Sequence, residues 1–178
     1  MRRRWIIAGL AAIAVAGLTV GAVVFKPWLL FIDVAVDDAL PMVVESPVES
    51  PQPSETATPT PTGPVELASG SLISHEHETS GVVRIIENPD GTRVLTLENL
   101  STSNGPDVHV WLSAAPVVEG FDGWFLASGP AYVDLGLIKG NIGNQVYEIP
   151  ADVDLSQYPS VYLWCAQFAV SFGAAAIA

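Results

Sequence analysis

Gly81-Val-Val-Arg-Ile-Ile-Glu-Asn-Pro-Asp-Gly-Thr-Arg-Val-Leu-Thr-Leu-Glu98 decides the fold. Two runs rich in β-branched and aliphatic residues, Gly81 to Ile86 and Arg93 to Glu98, flank Asn88-Pro-Asp-Gly91. Proline presets φ for a turn and glycine tolerates positive φ, so the four residues reverse the chain and the two runs pair as a hairpin. Working outward, similar short runs recur at Gly70–Ser74, Asp107–Leu112, Tyr132–Leu135, Gln145–Ile149, Ser160–Trp164 and Phe168–Phe172, with a further break at Asn104-Gly-Pro106. Helical periodicity with caps is not sustained after Val65. The spacing predicts an all-β domain over residues 65–178, an antiparallel β-sandwich of about eight strands.

What precedes it is different. Met1-Arg-Arg-Arg4 is followed by an uncharged apolar run, Trp5 to Phe25, closed by Lys26-Pro27-Trp28. The run is longer than the roughly 7 to 15 residues of a signal-peptide core and is about the length that crosses a bilayer, so residues 1–30 are expected to be a retained transmembrane anchor. Arginines on its short N-terminal side place the N-terminus in the cytoplasm and the rest outside, which makes this a single-pass protein of the cell membrane. Residues 31–64 form a juxtamembrane piece, Phe31 to Leu40, and then a Pro/Ser/Thr/Glu tract from Pro41 to Pro64. Such a composition cannot bury a core, so the tract is expected to be a disordered, extended stalk.

Charge narrows the partners. The net charge is −12, and of the seven Lys and Arg residues only Arg84, Arg93 and Lys139 lie beyond the anchor and its exit, while all nineteen acidic residues follow it. A body without a basic patch does not bind nucleic acid.

Cys165 is the only cysteine, so an internal disulfide is excluded. Alternation along Ser160 to Cys165 puts Val161, Leu163 and Cys165 on one strand face and Tyr162 and Trp164 on the other, which favours an inward thiol. In Asp107 to Leu112 the same rule groups Val108, Val110 and Leu112, opposite Asp107, His109 and Trp111. An unpaired exported thiol is buried core, paired with another molecule, ligated or reactive. A nucleophilic role needs a histidine base and an electropositive setting, which this acidic, apolar context lacks. A blue-copper site needs a His and a Met shortly after the Cys, and neither follows. The candidate metal ligands are His75 and His77, which flank Glu76 on alternate positions, and His109; a metal ion or a haem is the cofactor class they would serve, and the cofactor is otherwise unknown.

Four motifs in order carry a resemblance: Gly70-Ser-Leu-Ile-Ser-His-Glu-His-Glu-Thr-Ser-Gly81, Gly105-Pro-Asp-Val-His-Val-Trp-Leu112, Asp134-Leu-Gly-Leu-Ile-Lys-Gly-Asn-Ile-Gly-Asn-Gln-Val-Tyr-Glu-Ile-Pro150 and Trp164-Cys-Ala-Gln-Phe-Ala-Val-Ser-Phe-Gly-Ala174. From about Glu66 to Ala178 the chain resembles the DM13 domain family. The resemblance implies an extracytoplasmic β-rich module of a bacterial surface, with electron-transfer or other redox chemistry centred on the cysteine of a Trp-Cys-x-x-Phe motif. That role falls here on Cys165, with Trp164, Phe168 and Gly173 at matching positions. His77 matches a His-x-Thr-Ser-Gly position, and His75 matches none. In animals and plants such domains are joined to DOMON and cytochrome b561-type domains. Neither is found in this sequence, so a separate redox protein is the expected partner. The rival reading is a binding or adhesion module in which Cys165 is structural.

Overall fold

The computed structural model describes residues 2–43 and 63–178. Helix α1, Arg2–Phe25, has 24 residues, and its Arg3–Phe25 portion has a mean hydropathy of 2.4 with none of it buried against the rest of the protein. At 1.5 Å per residue it is long enough to cross the roughly 30 Å hydrocarbon layer of a bilayer. The chain leaves the helix at Lys26, whose φ is 44°, and makes a short 3₁₀ turn over Pro27–Phe31.

Ten strands follow among the described residues: β1 Ala35–Asp37, β2 Val65–Ser71, β3 Ile73–Ser74, β4 Ser80–Glu87, β5 Arg93–Ser101, β6 Val108–Ser113, β7 Tyr132–Leu137, β8 Ile142–Ile149, β9 Ser160–Cys165 and β10 Val170–Ala176. They form two five-stranded sheets, ordered β1-β8-β5-β4-β2 and β3-β10-β9-β6-β7. The β4–β5 hairpin pairs Glu87 with Arg93 around the Asn88 to Thr92 turn, and the Gly91 N–H donates to Asn88 O at 2.9 Å. The expected sandwich is therefore present.

Its core lies between the sheets. Val83, Ile85, Leu95 and Leu97 face Val110, Leu112, Val161, Leu163 and Cys165 in one apolar cluster. The second sheet is also covered on its outer face, where Trp111, Tyr162 and Trp164 pack with Ala115 and Ala127 of the connection between β6 and β7. Cover on both faces explains why every residue of β9 is buried. The closing apolar run is two strands, β9 and β10, joined by a turn over residues 166–169 in which Ala169 has a φ of 52°.

Of the two strands beyond the expected eight, β3 is split from β2 at Leu72, and β1 comes from the juxtamembrane piece. β1 lies parallel on β8 with Val36 opposite Gly143. This approach needs glycine: a Cβ on Gly143, whose φ is +102°, would stand 2.0 Å from Val36 O, and one on Gly140 would stand 2.3 Å from Val34 O. Asn141 holds the same segment, its Oδ1 accepting from Val34 N at 2.7 Å and its Nδ2 donating to Asp33 at 2.8 Å. Asn144 donates to Asp37 at 2.9 Å, and Lys139 pairs with Asp38 at 2.5 Å. The Lys139 to Asn144 motif thus straps the chain that leaves α1 onto the sheet. Most of the Pro-rich tract expected to be a stalk lies outside the described residues. The residues before it already belong to the sheet, so the helix and the sandwich are joined through residues 26–34.

Candidate functional site around Cys165

Cys165 ends β9, opposite Val108 of β6 and Val170 of β10, and has 0% exposure. The turn that follows aims backbone N–H groups of Phe168 and Gln167 at the sulfur, and the Asp107 backbone adds another. Such donors favour a thiolate, but burial outweighs them and, with the Asp107 charge, pushes the thiol pKa up. At neutral pH the group is a neutral thiol, unsuited to nucleophilic chemistry.

On the outer face of the same strand Trp164 begins a stack of rings. Its centroid is 5.2 Å from that of Trp111, which in turn lies 3.8 Å from Tyr132 with planes 13° apart. Tyr132 is 47% exposed, so the stack runs from the residue beside Cys165 to the surface. Trp111 Nε1 is buried and has no hydrogen-bond partner among the described residues.

The end of the sandwich nearest Cys165 meets the end of α1. Phe168 stacks on Phe25 at 5.8 Å with planes 9° apart, and Gln167 Nε2 donates to Val24 O at 2.9 Å. Between them is an apolar pocket of about 380 Å³, bounded by Phe25 and Leu29 on one side and by Trp124, Phe125, Phe168 and Phe172 on the other. Its polar lining comes from Lys26, Glu76, His77 and Asn104. Val170, the cross-strand partner of Cys165, is part of the wall.

The three histidines are not brought together. Strand alternation does not govern His75 and His77, because β3 ends at Ser74 and the chain bends. His75 faces Tyr162, with Nε2 3.1 Å from Val118 O and Nδ1 2.8 Å from Ser171 Oγ. A carbonyl can only accept, so Nε2 carries the proton and Nδ1 accepts from the hydroxyl in the neutral ring. Burial depresses its pKa. His77 packs on Phe172 at 3.9 Å with Nε2 2.6 Å from Glu76; burial lowers its pKa and Glu76 offsets this in part. His109 lies 3.1 Å from Asp107 and 2.9 Å from Asp134. Burial opposes its charge, but the two carboxylates outweigh burial and raise its pKa. Among the described residues no group of three or more His, Cys, Asp or Glu is disposed to hold a metal ion. Both His75 nitrogens are occupied, His109 is bonded to two carboxylates, and His77, the imidazole lining the aromatic pocket, is held through Nε2 by Glu76.

Of the residues singled out in the sequence, Cys165, Trp164 and Phe168 occupy one corner but point three ways: into the core, into the outer stack and into the pocket. Sequence reasoning missed Trp124, Phe125 and Phe172 as pocket walls, and Trp111 and Tyr132 as stack members. The cluster Phe121-Asp-Gly-Trp-Phe125 was the available signal, since it concentrates rings in a connection that has no strand to bury them.

Fold and site define an all-β two-sheet module with one buried thiol, set against the end of an apolar helix. The chain belongs to the DM13 family: residues 71–177 match the family model described as Electron transfer DM13. No curated protein and no solved structure matches the chain.

Proposed function

We propose that this protein is a membrane-anchored, extracytoplasmic electron-transfer module centred on Cys165. The family supports the electron-transfer class. One observation carries the assignment to this residue: the sole thiol is the next residue along β9 after Trp164, which begins the Trp164–Trp111–Tyr132 stack that leads to the surface. Trp, Tyr and thiol are the side chains most readily oxidised by one electron. A neutral buried thiol gives up an electron only together with its proton. In this reading the proton passes to solvent water at the exposed turn over residues 166–169 that follows Cys165. Trp111, whose N–H has no acceptor among the described residues, retains its proton when oxidised and so returns unchanged. The exposed Tyr132 end is where a redox protein partner would dock.

The test is photo-oxidation of the full chain in nanodiscs by a soluble excited oxidant, with the tryptophan radical followed optically. In wild type the radical decays as Cys165 is oxidised, and in Cys165→Ser it persists. Equal decay in both proteins would remove Cys165 from the pathway.

Complete burial of Cys165 favours a second reading, a binding module in which the thiol is core. Under that reading Cys165→Ser alters stability alone.

A further inference from the structure

We propose that the aromatic pocket between α1 and the sandwich binds the ring of a membrane-soluble quinone or quinol. The inference rests on the electron-transfer reading and names the ligand class of the same corner.

Position comes first. The pocket is bounded on one side by Phe25, the last residue of the apolar helix, and by Leu29 four residues on. An apolar, aromatic wall at the end of this helix suits a ligand that partitions into a bilayer better than a water-soluble carrier. Size and shape come second. A volume of about 380 Å³ suits one substituted ring with the start of a tail, and Trp124, Phe125, Phe168 and Phe172 offer ring faces for stacking.

The polar lining separates a quinone from an acyl chain. A lipid tail needs no hydrogen-bonding group, yet His77 and Glu76 line this apolar space as a bonded pair. His77 Nδ1 makes no hydrogen bond among the described residues. In the neutral ring that burial favours, Nε2–H donates to Glu76, which leaves Nδ1 as an acceptor for a quinol hydroxyl. Lys26 and Asn104 complete the polar edge. The ring would sit over Val170, the residue directly opposite Cys165 on the neighbouring strand.

The experiment is photoaffinity labelling of the full chain in phosphatidylcholine nanodiscs with an azido-substituted decyl benzoquinone. The expected result is label on peptides containing Trp124–Phe125 and Phe168–Phe172, competed by unlabelled decyl benzoquinone and not by decanol. Phe168→Ala is expected to weaken competition by about threefold to tenfold, the equivalent of one lost ring contact. His77→Gln is expected to weaken it while leaving the unfolding temperature in place. Label confined to α1, or competition by decanol as effective as by the quinone, would overturn the proposal. Photo-oxidation without quinone separates the two readings: a Cys165-independent radical with intact labelling sinks only the redox role of the thiol, and a Cys165-dependent radical with no pocket label sinks only the quinone site.

Discussion

Phe168, three residues beyond the sole cysteine, stacks face to face on Phe25, the last residue of the apolar helix, with planes 9° apart. This contact fixes which end of the sandwich faces the helix: the end that holds Cys165, Trp124 and Phe125. Truncating Phe168 to alanine removes a ring pair worth about 0.5 to 1.5 kcal/mol and leaves Gln167 to Val24 as the neighbouring link. Faster hydrogen exchange across residues 26–34, with β4 and β5 unchanged, is the expected outcome. An unchanged rate would mean that the stack contributes nothing to docking.

The thiol of Cys165 is expected to resist alkylation in the folded protein and to react readily once unfolded, since it is both fully buried and held protonated. Cys165→Ser places a hydroxyl among Val108, Val170 and Leu163, at about 1 to 3 kcal/mol of stability. Thiol reactivity across a urea titration measures the first, and the shift of the urea midpoint measures the second.

Gly143→Ala is expected to detach β1. Its Cβ would overlap Val36 O at a position where φ is already +102°, so the strand must move or the backbone must strain. Asn141→Ala would have a milder effect in the same direction, because it removes the bonds to Val34 and Asp33 but creates no clash. Protease sensitivity of residues 31–43 in full-length protein checks both, and equal sensitivity in Gly143→Ala and wild type would contradict the strap.

His109 provides a pH-dependent contribution whose sign follows from its partners. Asp134 and Asp107 raise its folded pKa above the ordinary value of 6.5, so the protonated ring favours the folded state. That stability is fully present below about pH 6.5 and is lost as pH rises through the folded value. The stability difference between wild type and His109→Gln should shrink as pH rises from 6 through the folded pKa. NMR titration of the ring in Asp134→Asn should return its pKa toward 6.5. The buried His75 and His77 carry depressed values and act with the opposite sign, which is why the comparison is with the variant rather than with absolute stability.

Much of this was legible in the chain. The hairpin at Asn88 to Gly91, the apolar length of α1 and the inward alternation of Val161, Leu163 and Cys165 are local properties, set by turn chemistry, helix rise and the two-residue strand period. The four motifs and their order also sufficed for the family. The partners of the histidines were not legible, because adjacency of His75 and His77 in sequence says nothing once β3 stops at Ser74 and each ring turns to its own neighbours.

What only the tertiary structure decided is how the pieces meet. Glycines and asparagines between Lys139 and Asn144 read as a loop signature, and only the arrival of β1, more than a hundred residues earlier in the chain, gives them the task of admitting a backbone. In the same way Trp124 and Phe125 are merely apolar residues in a connection until Phe25 is set beside them. Strand pairing and ring contact at long sequence separation depend on how the whole chain closes, whereas turns, faces and spans are determined by residues within a few positions of one another.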